Sequence, residues 1–291
     1  MAAPMMGQQV PDTNFRPSVS PPAYPADRGP RVLIDESHYN FHTATGRYQT
    51  FAALLRGDGY VVTPNRAPFT PASLAGAKVL VIANALAREN ETRWELPTPS
   101  AFTREEVQAV RNWVSAGGSL LLIADHMPFP GSAGDLAKAF GVAMTNGFVT
   151  DSVTGEGNLT FSRARGLADH TITRGRNAAE RIDSIVAFTG QAFRLEGGGE
   201  ALFAFGPQTI NYYPRASFEV TPDTRRESAN GMLQGATIAF GKGRVAVFGE
   251  AAMFSAQLAG PNRIPVGLNA PRAKQNAQFA LNVMHWLTGL L

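Results

Sequence analysis

The chain carries 5 histidines and 23 acidic residues in 291 positions, and several of them gather behind short apolar runs. The stretch IDESHYNFHT, residues 34–43, follows one such run and holds Asp35, Glu36, His38, Asn40 and His42; Asp125-His126 and Glu250 each follow another. Histidine and aspartate side chains that converge at roughly 2.0–2.2 Å from one point make a zinc-type site, and a spare carboxylate beside it can take a proton from bound water. On residue type, Asp35, His38 and His126 are the metal candidates, with a divalent ion, zinc first, as the expected cofactor. Glu36, Asp125 and Glu250 are the candidates for acid and base, and Asn40, His42 and Gln191 for substrate contacts. None of these residues has the short helical spacing of an H-E-x-x-H pair, so the group exists only if the fold brings remote segments together. Each also has an ordinary reading. Acids at strand ends cap helices or pair with arginine; His42 fits a solvent-facing loop, His170 in ADHTIT a turn bonded to backbone, and His285 beside Trp286 a surface or packing position.

The elements that must position these residues are legible as periodicity. RVLID, KVLVIAN, SLLLIAD and GRVAVFGE are nearly uninterrupted apolar runs, which suits strands covered on both faces of a parallel sheet. GRYQTFAALLRGDGY places Tyr48, Phe51, Leu54 and Leu55 at helical spacing and ends in Gly57 and Gly59. TREEVQAVRNWVSAGG opens with Thr103 and Glu106 at capping-box spacing and carries Val107, Val110, Trp113 and Val114 as its apolar stripe. SAGDLAKAF reads as a further short helix, and RAKQNAQFALNVMHWLTGLL as the last one. Alternating strands and helices predict right-handed crossovers and an α/β fold: a flavodoxin-like three-layer sandwich with a mostly parallel central sheet. In such a sheet ligands bind beyond the carboxyl ends of the strands. The polar ends of RVLIDESH, LLLIADH and VAVFGE are therefore expected along one edge. From about 141 to 240 the alternation fails, and RIDSIVAFTG, ALFAFG and QGATIAFG read as strands of a β-rich insertion.

Residues 1–30 are rich in proline and read as an extended arm before a single domain over 31–291. The arm has no basic n-region or apolar h-region, and it is what a removed secretion signal leaves behind, which favours a periplasmic or secreted location over the cytoplasm. The sequence holds no cysteine, so disulfides, thiolate zinc sites, iron–sulfur clusters and cysteine nucleophiles are excluded. A net charge of +3 with no basic stripe gives no footprint for nucleic acid. No apolar run reaches the ~18 residues of a membrane span. The expected partner is a small-molecule substrate. No G-x-S-x-G elbow, Walker A motif or dinucleotide fingerprint is present.

The order of elements resembles the class I glutamine amidotransferase-like superfamily. Within it, VLIDESHYN, AGGSLLLIADHMPFPG and RVAVFGEAAMFSAQ, followed by NAQFALNVMHWL, resemble bacterial proteins with a DUF4350-like or ThuA-like domain, over most of residues 31–150 and 234–291. The resemblance implies the flavodoxin-like sandwich and a site at the strand ends, with a functional histidine near the turn that holds His126. In amidotransferases that turn carries a cysteine paired with a distant histidine and glutamate; here it reads Ala124-Asp125-His126, so glutaminase chemistry is not implied. The expectation is a hydrolase of a small ester, lactone or carbohydrate-type substrate, assisted by a metal. The alternative is a non-catalytic sugar- or protein-binding module on an amidotransferase-like fold.

Overall fold

Val79–Ala83 and Ser119–Ile123 are buried at every position, as a continuous apolar run must be if neither face of its strand is to meet water. They lie at the centre of a computed structural model that describes residues 9–19 and 21–291; the rest of the expected arm, residues 1–8 and 20, lies outside the described residues. In chain order the strands are β1 (Val10–Pro11), β2 (Arg31–Asp35), β3 (Val61–Asn65), β4 (Val79–Ala83), β5 (Ser119–Ile123), β6 (Val142–Met144), β7 (Phe148–Asp151), β8 (Leu159–Ser162) and β9 (Ser184–Ala187). They continue as β10 (Phe193–Leu195), β11 (Glu200–Ala204), β12 (Thr209–Tyr213), β13 (Arg225–Ser228), β14 (Leu233–Phe240), β15 (Gly243–Phe248), β16 (Ala256–Ala259) and β17 (Ile264–Gly267). The helices are α1 (Gln49–Gly57), α2 (Arg104–Ser115), α3 (Phe129–Lys138), α4 (Thr171–Arg174) and α5 (Asn276–Thr288).

The main sheet has nine strands in the order β3-β2-β4-β5-β15-β14-β10-β6, with β11 also paired to β14. From β3 to β15 every neighbour is parallel. Beyond β15 every pairing in the sheet is antiparallel. The expectation of a mostly parallel sheet is corrected on this point: the fold is α/β with mixed sheets. The reason lies in the connections. A parallel pair needs a crossover, usually helical, and β2, β4 and β5 are each followed by one of the helices α1, α2 and α3. The Gly- and Pro-rich region between α3 and β15 has one α-helix, the four-residue α4, so its strands pair antiparallel, with strands remote in the chain or through hairpin turns. Gly241, at φ +58, makes the tightest of these between β14 and β15.

Alternation along the strands sorts the core into two layers. Val32 and Ile34 pack with Phe51 and Leu55 of α1 and with Phe279 and Val283 of α5. Leu33, Leu80 and Leu122 pack on the opposite face with Val110 and Val114 of α2 and Leu136 of α3. The middle of the chain does two things: β6, β10, β11 and β14 widen the main sheet, while β13-β12-β7 and β8-β9 form small sheets of their own. The described part of the arm is docked. Val10 and Pro11 pair with Leu258 and Gln257 of β16, and the Asp58 carboxylate accepts the Ala23 N–H at 2.7 Å. The other oxygen of Asp58 lies 2.7 Å from His285 Nε2, so His285 is a buried hydrogen-bond partner and not a surface residue. No helix among the described residues is long and apolar enough to cross a membrane.

Candidate functional site

Because β2, β4, β5 and β15 run the same way, Asp35, Asn84, Asp125-His126 and Glu250 all emerge at one edge of the sheet. They do not all enter one cavity. A cleft of about 180 Å³ opens between β4, β5 and the chain after β9, and its lining includes His42, Asn84, Asp125, His126 and Thr189 among aromatic walls. Segments 94–96 and 215–217 are bonded to each other at its side, and Trp94 and Phe218 from them and just beyond join the lining. Leu96 N–H donates to the Arg215 carbonyl at 2.8 Å and Ser217 N–H to the Trp94 carbonyl at 2.8 Å. Phe218 meets His126 edge-on at 4.4 Å, and its φ of +64 is a left-handed conformation a bulky side chain rarely adopts. Such strain clusters where a side chain is held in place for use.

His126 has a fixed tautomer. Its Nδ1 lies 2.8 Å from the Met127 carbonyl, which can only accept, so Nδ1 carries a hydrogen and, in the neutral ring, the lone pair is on Nε2. Ser217 Oγ approaches the same Nδ1 at 3.3 Å and spends its own hydrogen on the Met127 carbonyl at 2.9 Å. No described residue bonds Nε2. Asp125 is held by its neighbours: Oδ1 accepts the His126 N–H and the Thr189 hydroxyl, each at 2.8 Å, and Oδ2 accepts the Ala251 N–H at 3.3 Å. Glu250 lies wholly buried beside it, its two oxygens accepting the N–H groups of Ala252 and Met253 at 2.7 Å. Burial first, and then the charge of Asp125, push the Glu250 pKa well above the usual carboxylate value, against the pull of those backbone donors.

The expected metal set is not assembled. His38 Nδ1 lies 2.9 Å from Asp35 Oδ2 and its Nε2 lies 2.9 Å from Glu106 Oε1, so both ring nitrogens are committed to carboxylates. Phe69 and Phe102 pack over the ring at 4.6 and 4.7 Å. Among the described residues no group of three or more His, Asp or Glu side chains is placed to hold a metal ion. Burial opposes charge on His38, but the hydrogen bonds and charges of Asp35 and Glu106 outweigh it and raise its pKa above the ordinary 6.5. Asp35, His38 and Glu106 thus form a closed structural clamp. Asn40, expected at substrate, bonds into the same clamp, donating to Asp35 Oδ2 at 3.0 Å.

Glu36, expected as acid or base, accepts the Ala44 N–H at 2.9 Å and pairs with Arg66 at 3.0 Å, outside the cleft. Gln191, expected at substrate, turns its Oε1 to the N–H and hydroxyl of Thr145, each at 3.2 Å, and does not line the cleft. Of the residues singled out in the sequence, the cleft gathers His42, Asp125 and His126. His42 is 3% exposed, not a solvent-facing loop residue. His170 caps α4 by accepting the Ile172 N–H at 3.0 Å, in keeping with its turn-like setting. The residue that sequence reasoning passed over is Asn84. It is a buried polar side chain that ends the apolar run KVLVIAN and sits at φ +50, a conformation asparagine tolerates better than most. The aromatic walls Trp94 and Phe218 lie in segments without periodicity, and no local signal points to them.

The sequence matches no protein-family model and no curated protein. Solved structures are similar to it. The mmIFT52 N-terminal domain superposes with a TM-score of 0.62 at 16% identity, covering 89% of this chain and 97% of that one. A cytoplasmic protein from Salmonella typhimurium LT2 reaches 0.49 at 17% identity, over 88% of this chain and 98% of its own. A ThuA-like protein from Bacteroides uniformis ATCC 8492 reaches 0.48 at 15% identity, over 91% and 95%. At these identities the likeness is one of fold, and the chemistry of the cleft rests on its own side chains.

Proposed function

We propose that the protein is a hydrolase of a small uncharged ester or lactone, with His126 as the general base toward water in the cleft between β4 and β5. The observation that carries this reading is the lone pair on His126 Nε2, held by the Nδ1–H bond to Met127 at the wall of a cleft that also presents Asp125 and Thr189. Water attacks the acyl carbon while its proton passes to Nε2, and the carbonyl π pair moves onto oxygen. When that pair returns, the bond to the alkoxy group breaks and the alcohol leaves with the proton from His126, so that acid and alcohol form from ester and water.

The lining supports this substrate class. Among the described residues no lysine or arginine lines the cleft, and its walls are mainly aromatic and apolar, which favours an uncharged ligand. At about 180 Å³ it is smaller than the ~300–1,000 Å³ of drug-sized sites, so it suits a short acyl group. A glycoside is less well served. Glycoside hydrolysis commonly takes two carboxylates flanking the bond, and Asp125 is the acid that lines the cleft while Glu250 is sealed beneath it. The fold reading that accompanies this proposal is a flavodoxin-like, glutamine amidotransferase-like domain whose cysteine turn is replaced by Ala124-Asp125-His126.

A second reading is favoured by the walls themselves: Trp94, Phe188 and Phe218 offer flat apolar faces of the kind that stack on a sugar ring. One experiment separates the two. Wild-type protein and His126→Ala, both checked for native near-UV circular dichroism, are assayed on p-nitrophenyl acetate, p-nitrophenyl butyrate and γ-butyrolactone. The hydrolase reading expects turnover that falls by about 10²–10⁴-fold in the variant. Absence of turnover in the wild type, together with saturable binding on a monosaccharide array, establishes the binding module instead.

A further inference from the structure

Beyond the base, the cleft contains a second histidine whose chemistry is fixed by a chain of obligate hydrogen-bond roles. The backbone N–H of Asp125 can only donate, and it lies 2.9 Å from Asn84 Oδ1, which orients the Asn84 amide. Asn84 Nδ2 therefore donates, and it faces His42 Nδ1 at 3.2 Å. A ring nitrogen that accepts carries no hydrogen, so the hydrogen of a neutral His42 sits on Nε2. Burial first, and then the nearby Arg47 and His126, hold the His42 pKa well below the ordinary 6.5.

That Nε2–H is buried and has no hydrogen-bond partner among the described residues. Its near neighbours offer none: Phe41 is apolar, and Tyr48, packed at 4.7 Å, directs its hydroxyl to the Ala251 carbonyl at 3.0 Å. Native structures rarely leave a buried donor unmet, because its desolvation is not returned. Yet His42 is one of the residues that line the cleft, so the unmet donor lies at its wall.

We infer that His42 is a catalytic residue in its own right: a neutral imidazole whose Nε2–H binds the carbonyl oxygen of an acyl substrate and holds the negative charge that develops there. The proposal rests on the acyl-hydrolase reading for the identity of that oxygen. It assigns the two imidazoles of one cleft opposite tautomers with complementary tasks. His126 presents a lone pair to the attacking water, and His42 presents an N–H to the oxygen that receives the electron pair. A neutral imidazole suits this second task because it donates without demanding a counter-ion from an apolar site. The amide of Asn84 is the positioning group: it ties the His42 tautomer to the same backbone turn that carries Asp125 and His126.

The test uses protein labelled with ¹⁵N-histidine, read by long-range imidazole correlation spectra. The expected pattern is hydrogen on Nε2 for His42 and on Nδ1 for His126. Titration with trifluoroacetone, whose hydrated carbon mimics the tetrahedral centre, should move the His42 Hε2 resonance downfield. In His42→Phe this binding should be lost, and kcat on p-nitrophenyl acetate should fall by about 10²–10³-fold with KM little changed. His42→Gln, which can present an N–H, should recover part of that loss. A His42 hydrogen found on Nδ1, or wild-type kcat and trifluoroacetone affinity in His42→Phe, would overturn the proposal while leaving His126 hydrolysis standing. The reverse outcome is equally distinct: trifluoroacetone binding that depends on His42 in a protein that turns over no ester would retain the carbonyl-binding donor and remove the hydrolase.

Discussion

Replacing His38 with alanine removes the middle member of the Asp35–His38–Glu106 clamp and leaves two acids facing each other across the gap. Asp35 is 0% and Glu106 7% exposed, so neither can be rescued fully by water. Asp35 would keep the Ser37 N–H at 3.2 Å, the Ser37 hydroxyl at 3.0 Å and the Asn40 amide at 3.0 Å; Glu106 would keep the N–H groups of Phe69 at 3.1 Å and Thr103 at 3.0 Å. Each acid loses one charge-assisted bond, and removal of one partner from a buried pair typically costs about 3–5 kcal/mol. The aromatic packing of Phe69 and Phe102 against the ring is lost as well, but that part does not titrate.

The ionic part does, and its sign follows from the raised His38 pKa. A group whose pKa is higher in the folded state contributes stability that is complete below its unfolded value of 6.5 and is lost as pH rises through the folded value. Urea unfolding of wild type and His38→Ala at pH 6 and pH 9 should therefore show a gap of about 3 kcal/mol or more at the lower pH and a smaller one at the higher. At about 2–4 °C per kcal/mol, the same variant should melt at least roughly 6 °C lower at pH 6. A gap below about 1 kcal/mol at pH 6, of the size of an exposed ion pair, or one that widens with pH, would refute the clamp.

Two further outcomes follow from the same geometry. Glu250→Gln replaces a carboxyl whose hold on its proton is strengthened by burial, and it turns an amide N–H₂ toward one of the backbone N–H groups now at 2.7 Å, so it should cost about 1–3 kcal/mol at pH 6. Because the Glu250 pKa is raised above 4.5, wild type loses stability as pH climbs from 4.5 through that raised value while the glutamine variant does not; urea midpoints at pH 6 and 9 should show the gap narrowing, and a constant gap would contradict the raised pKa of Glu250. Dialysis against EDTA should leave the melting temperature unchanged, since both His38 nitrogens are already bonded to carboxylates. A loss of several degrees that zinc restores would place a metal at groups other than this clamp.

What could be read from the chain alone were features whose causes are local. Uninterrupted apolar runs dictate the parallel strands, helical spacing dictates α1, α2 and α5, and Thr103 with Glu106 does form the reciprocal cap at the start of α2, at 3.2 and 3.0 Å. The delivery of Asp125 and His126 to the carboxyl-end edge of the parallel strands follows from the same patterns, because strand direction fixes which end of each run faces the cleft. The antiparallel half of the sheet was less legible, since short strands between glycines leave their partners undetermined.

Only the tertiary structure decided what each polar group does, and the reason is that a buried group is defined by its partner. His38 and His126 are alike as sequence: each follows within three residues of an aspartate just past the end of an apolar strand. Glu106, 68 residues further on, closes over His38 and makes it a structural ion, whereas Met127 takes one nitrogen of His126 and leaves the other to the cleft. Asn84 and Phe218 became site residues in the same way, through contacts with Asp125, His42 and His126 that no spacing announces. Periodicity settles which face of an element is buried, and the hydrogen-bond roles inside it depend on which remote donors and acceptors arrive there.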